Sequence, residues 1–226
     1  MKRRLVGLGV VAALMVAAWF LAPLGLSKLA FFRLRQVEVV GLRYLSPEMV
    51  LARIGIEADR NVFESLSEID RRAEEVPGIV SARVVRRLPG TLRLELVEDP
   101  PVAFARGENG LVPLDIDARP LPYEPSVTGF DLPVAERPEP VLTRALATIR
   151  GADPQLFELV DGARRGQGGM VILELGEQRL ILREDPLPAE IRAVETVRWH
   201  LTQNTVPFIE LDARFDGWVV VRRGGV

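Results

Sequence analysis

The sequence predicts an α+β protein in three parts: an N-terminal transmembrane helix, a small βααββ domain, and a mixed α+β domain with an extended antiparallel sheet. Three observations predict it. Residues 5–26 form an uncharged apolar run, residues 31–100 alternate strand, helix, helix, strand and strand periodicities, and residues 101–226 hold short β-prone runs broken by helical stretches. With 48% hydrophobic and 27% charged residues, the 226-residue chain has enough apolar material to bury a core. A net charge of -2 removes the broad basic field of a sequence-independent nucleic-acid binder. The absence of cysteine leaves no disulfide, thiol nucleophile or thiolate metal site, and the one histidine, His200, leaves a single imidazole for acid–base work.

The charge is unevenly spread. The first 30 residues carry Lys2, Arg3, Arg4 and Lys28 with no acid, so the remainder is net acidic. As a helix, residues 5–26 reach about 33 Å, enough for a hydrocarbon core of roughly 30 Å. Trp19 and Phe20 stand near the far end, where an aromatic belt is expected. A cleaved signal peptide also begins basic and apolar, but cleavage after Ala22 places Pro23 next, and cleavage after Ala30 puts Lys28 at the small-residue position. The reading is an uncleaved anchor with residues 1–4 in the cytoplasm and the body outside it, following the basic cluster on the short N-terminus.

In residues 31–100, Val37 and Val39 alternate with Gln36 and Glu38 before Gly41, as in a short half-buried strand. Ser46-Pro47-Glu48 reads as N-cap, first helical residue and first-turn acid of a helix through Val50, Leu51 and Ile54, with Gly55 at its end. A second helix is expected from Ser67, with Asp70 completing an imperfect capping box and Leu66, Ile69, Ala73 and Val76 forming an apolar stripe that Pro77-Gly78 stops. Residues 79–88 and 91–97 are strands joined by Pro89-Gly90, with Leu92, Leu94 and Leu96 on one face and Arg93 and Glu95 on the other.

This order resembles a POTRA domain directly behind a transmembrane anchor, as in the bacterial cell-division family FtsQ, called DivIB in some lineages. The residues that carry the resemblance are Val37-Glu38-Val39-Val40-Gly41, Asn61-Val62-Phe63, Val76-Pro77-Gly78-Ile79-Val80-Ser81-Ala82-Arg83-Val84, Arg86-Arg87-Leu88-Pro89-Gly90-Thr91-Leu92 and Val97-Glu98-Asp99-Pro100-Pro101-Val102-Ala103. Gly78 departs from the pattern, since the family often has an aromatic there.

In residues 101–226, short strands are expected at 102–106 and 111–114 around an Asn109-Gly110 turn, with Pro113 marking the second as an edge. Asp115-Ile116-Asp117 reads as a turn rather than a cation site. Residues 120–140, with six prolines, read as a rigid connection. A helix through Leu142, Leu146 and Ile149, strands at 157–164, 170–175 and 179–183, and a helix from Pro188 carrying Ile191, Val194, Val197 and Leu201 follow. Gly166, Gly168 and Gly169 lack the Lys-Ser/Thr pair of a phosphate loop and read as a loose hairpin. His200 has no conspicuous acid partner and reads as structural or solvated. The closing run from Phe208 to Arg223 resembles the last two strands of the FtsQ C-terminal domain, with Ala213 where that family usually has leucine.

No nucleophile–base pair, metal cluster or phosphate cradle emerges, so no enzyme, cofactor, nucleic acid or small-molecule substrate is expected. The resemblance implies a non-enzymatic divisome hub at the septum that recruits FtsB and FtsL, with residues 31–100 as POTRA domain and 101–226 as C-terminal β domain. The short apolar run 218–221 has little chain left to cover it, and such an edge can accept an added strand. The expected partner-binding residues are Arg214, Phe215, Asp216, Gly217, Trp218, Val219, Val220 and Val221, with Phe215 and Trp218 as apolar anchors and Arg214 meeting an acid on the partner. The alternatives are a POTRA-containing envelope transport or assembly factor, whose outer-membrane barrel would need repeated amphipathic strands, and a periplasmic enzyme.

Overall fold

The computed structural model describes residues 30–224 apart from 58, 59, 64, 109, 125–128 and 130, together with residue 15. The expected span at 5–26 therefore lies, but for Met15, outside the described residues, as does Asn109 of the first expected hairpin. Among the described residues no helix is long and apolar enough to cross a membrane. The chain divides into two compact units that meet between Glu98 and Asp99.

The first unit opens with a 3-10 turn, Ala30–Phe32, and continues as β1 (Gln36–Val40), α1 (Pro47–Ile54), α2 (Ser67–Glu74), β2 (Ile79–Arg87) and β3 (Thr91–Glu98). The sheet runs β1-β3-β2, with β1 parallel and β2 antiparallel to the central strand. In α1, the Met49 N–H donates to Ser46 Oγ, Pro47 takes the first turn, and Gly55 ends the helix in the left-handed region. Leu92, Leu94 and Leu96 on β3 are buried, as are Val50, Ile54, Ile69 and Ala73 of the helices. Each of those leucines contributes about 1.5–3 kcal/mol by leaving water. Gly41 is required where it stands, because a Cβ there would lie 1.9 Å from the Leu96 carbonyl oxygen.

Two carboxylates hold this unit in ways their sequence positions do not announce. Glu98 is buried and accepts backbone N–H groups from Arg43 (2.6 Å), Tyr44 (3.0 Å) and Leu45 (2.7 Å), tying the last strand to the loop before α1. The expected capping role of Asp70 is corrected. The N-cap position, Leu66, has no side-chain cap, and Asp70 Oδ1 instead accepts the Val84 N–H at 2.7 Å, bolting α2 to β2.

The second unit contains β4 (Ala103–Gly107), β5 (Gly110–Leu114), β6 (Val134–Ala135), α3 (Pro140–Ala152), α4 (Pro154–Glu158), β7 (Gly162–Arg165), β8 (Val171–Leu175), β9 (Gln178–Leu182), α5 (Pro188–Gln203), β10 (Glu210–Phe215) and β11 (Trp218–Arg222). Its eight strands form one extended sheet in the order β11-β10-β9-β8-β7-β6-β4-β5. The sheet is mixed: β9/β10, β4/β6 and β6/β7 pair in parallel, and the remaining neighbours are antiparallel. Leu142, Leu146 and Ile149 of α3, Ile191 and Val194 of α5, and Leu173, Leu180 and Leu182 of the sheet share one buried cluster.

Two expectations are revised here. Residues 157–164 are not one strand: Asp153 Oδ1 accepts the Gln155 and Leu156 N–H groups and Pro154 starts α4, so a strand begins only at Gly162. The proline-rich connection 120–140 contains β6, a two-residue strand that bridges β4 and β7. Asp115 is a turn residue, its Oδ1 accepting the Asp117 and Arg119 N–H groups at 2.8 and 2.7 Å. Gly168 and Gly169 adopt positive φ between the antiparallel β7 and β8.

Candidate partner-binding edge

The last two strands place every sequence-predicted site residue on one hairpin at the end of the eight-stranded sheet. Phe215 pairs with Trp218 around Asp216-Gly217, with Gly217 at φ +74°, a conformation that disfavours side chains. The register then shifts between Asp212 and Phe215, so Ala213 and Arg214 together oppose Val219. Such a bulge adds local twist and re-aims its side chains. Ala213 turns into the core, and Arg214 lies half-exposed beside it.

Along β11 exposure alternates. Val219 and Val221 pack against the buried cluster, whereas Trp218 is 76% and Val220 52% exposed. Phe215, 49% exposed, stands beside Trp218 across the turn. The strand is held on one flank by β10 and occupies the end of the sheet. At the other end, β5 is blunted: Pro113 has no N–H to offer, and the Leu121 N–H donates to the Pro113 carbonyl at 2.8 Å, so the chain covers its own margin there. Residues 218–222 contain no proline, and every amide of β11 can donate.

Beside the hairpin runs a groove of about 120 Å³, lined by Ala189, Glu190 and Ala193 of α5 and by Ala213, Phe215, Gly217, Trp218 and Val219. Sequence reasoning did not assign the α5 side of this groove. Its signal is the pair of small residues four apart, Ala189 and Ala193, which leave a furrow on one helix face.

The electrostatics revise one expected role. Arg214 does not project a free charge: its guanidinium donates to both oxygens of Asp212, at 2.8 and 2.6 Å, and lies 5.7 Å from the Phe215 ring centroid. The Arg214 hydrogen bond holds the Asp212 carboxyl below the ordinary carboxylate range. Asp216 pairs with Arg183 at 3.3 Å, and Arg183 also binds Glu190. Buried Glu210 forms ion pairs with Arg222 and Arg179, at 3.4 and 3.5 Å. The hairpin's charges are thus largely neutralised within the chain, and its free chemistry is apolar surface and backbone.

A larger cleft of about 530 Å³ between Gly168–Met170 and residues 183–187 contains Arg183, Glu184 and Arg214. These three are engaged with Glu190, Arg165 and Asp212 respectively, so it presents an ion-pair network rather than an acid–base pair. His200 is exposed on α5 and contacts Asn204. Among the described residues no group of His, Cys, Asp and Glu side chains could hold a metal ion.

A βααββ unit followed by a mixed sheet is the architecture of a POTRA-bearing protein. Residues 32–99 match the family described as POTRA domain, FtsQ-type. The chain is similar to the cell division protein FtsQ of Corynebacterium glutamicum, 25% identical over 177 residues that cover 76% of each chain. It is also similar to the cell division protein FtsQ of Mycobacteroides abscessus, 26% identical over 183 residues, 77% of this chain and 59% of that protein. A third cell division protein FtsQ, from Koribacter versatilis, is 37% identical over 71 residues, 31% of this chain and 20% of the relative. Together these show an FtsQ-type POTRA domain at residues 32–99 and a similarity to proteins named cell division protein FtsQ that runs over about three quarters of the chain.

Proposed function

We propose that this chain is a non-enzymatic, single-pass hub of the bacterial divisome, and that it recruits FtsB and FtsL by accepting a strand along β11. Residues 5–26 anchor it in the inner membrane, with residues 1–4 in the cytoplasm and the POTRA and C-terminal β domains in the periplasm at the septum. The observation that carries the reading is the position of β11: an apolar, proline-free strand at the end of its sheet, with one flank unpaired by any described residue. An added strand gains main-chain hydrogen bonds there, while Trp218 and Phe215 bury against the partner and the adjoining groove receives a side chain. Arg214 lies beside the Phe215 ring with its charge paired to Asp212.

The envelope-transport alternative fits less well. A transmembrane barrel is built from antiparallel neighbours with alternating lipid-facing residues, whereas three pairings of this sheet are parallel and its central strands are buried against helices. The test is capture of FtsB by the full chain and by Trp218→Glu and Phe215→Glu variants. Loss of capture by at least tenfold with unchanged melting supports the edge, because both side chains are already exposed and contribute little to folding. Undiminished capture by folded variants removes it.

A further inference from the structure

A second apolar surface lies where the first unit begins. Phe31 and Leu88 are 60% and 62% exposed. The backbone joins the segments that carry them: the Arg35 N–H donates to the Gly90 carbonyl at 2.8 Å, the Gln36 N–H to the same oxygen at 3.3 Å, and a Cβ on Gly90 would lie 2.5 Å from the Arg33 carbonyl. The β2–β3 turn is therefore clamped onto residues 33–36, a few residues from Phe31. Phe31 is held in place as well. The Arg35 guanidinium donates to its carbonyl at 3.2 Å and lies 5.6 Å from its ring centroid, and Phe32 meets it edge-on at 5.1 Å before meeting Phe63 at 4.9 Å.

Within these two segments the charge has one sign, while residues 60–62, which pair with residues 32–34, are bordered in sequence by Glu57, Asp59 and Glu64. Residues 26–37 and 76–94 contain no Asp or Glu, and Arg33, Arg35 and Arg87 flank the two exposed apolar side chains. The stretch from Leu26, where the apolar run ends, to Phe31 spans at most about 17 Å when extended. Any bilayer that holds residues 5–26 lies within that distance.

The geometry points to a membrane foot: Phe31 and Leu88 enter the interface of an anionic bilayer while Arg33, Arg35 and Arg87 meet lipid phosphates. This rests on the anchor reading of residues 5–26. An exposed aromatic and a leucine with basic neighbours suit the headgroup layer, and guanidinium groups bind phosphate oxygens in a forked geometry. Two contacts, the anchor and the foot, hold a domain more firmly than a flexible tether alone.

Because the chain has no cysteine, a Leu88→Cys variant takes a single environment-sensitive fluorophore. The full chain is reconstituted into vesicles of phosphatidylcholine with phosphatidylglycerol, and quenching by a headgroup-proximal doxyl lipid is compared with quenching by iodide. Met15→Cys reports the anchor. The foot predicts that the label at 88 is quenched by the lipid and shielded from iodide. It also predicts that its membrane-bound fraction relative to free falls about fivefold for each arginine removed in Arg33→Gln and Arg87→Gln. A label at 88 that iodide reaches while the label at 15 is lipid-quenched overturns the foot and leaves the anchor intact. Iodide access at both positions overturns both. Lipid quenching at 88 that is indifferent to the two arginines and persists in pure phosphatidylcholine overturns the phosphate recognition, as does protection that arises only when another division protein is added.

Discussion

Arg214 and Asp212 show how a single pair fixes what the edge can offer. Because Arg214 donates two short hydrogen bonds to Asp212, its charge is already compensated within the chain, and a partner's acid gains less from it than from an unpaired guanidinium. The pair also makes a pH statement. Asp212 has its carboxyl lowered in the fold, so the stabilisation it contributes is present above the ordinary value of 3.8 and is lost as pH falls through the lowered one. Arg214→Gln is expected to lower the melting temperature at pH 7, and the gap from the parent protein should close as the pH falls through and below the carboxylate range. A gap that is constant from pH 7 to pH 2 contradicts this account of the pair. The sequence showed Arg214 as a basic residue on the closing turn, but not its partner. An acid two residues back on a regular strand would share its face, and only the bulge determines how closely the two meet.

Among the elements, those set by local chemistry were legible. Ser46-Pro47 and Gly55 bound α1, the leucines at 92, 94 and 96 marked the buried face of β3, and Pro188 opened α5. What was not legible depends on contacts distant in sequence. β6 is two residues long and exists because β4 and β7 stand on either side of it, which no periodicity between prolines can report. The helix at Pro154–Glu158 was hidden by Phe157 and Val160, apolar residues that also suit a strand, although Asp153-Pro154 carried the start signal. Glu98 belongs here too, since it binds an entire loop 53–55 residues away. Glu98→Ala leaves three backbone N–H groups without their acceptor, and about 3 kcal/mol of stability of the first unit should be lost in chemical denaturation. A loss below about 0.5 kcal/mol would mean the loop does not depend on that carboxylate.

For the whole molecule, the two ends of the large sheet are treated differently. β5 carries a proline and is covered by residues 119–121, whereas β11 ends the chain's last hairpin uncovered by described residues. Sheets exposing strand edges invite pairing with other chains, and blunting one end only directs that pairing to the other. Charge plays a minor part, because Asp212, Arg214, Asp216 and Glu210 are already paired. Recognition along β11 should therefore be only weakly salt-dependent. Hydrogen exchange of the full chain with and without the FtsB periplasmic segment tests the central claim most directly. The account predicts that amides of β11 facing away from β10 slow at least tenfold on binding while those of β5 are unchanged. Binding that leaves β11 exchange untouched and protects another surface contradicts it.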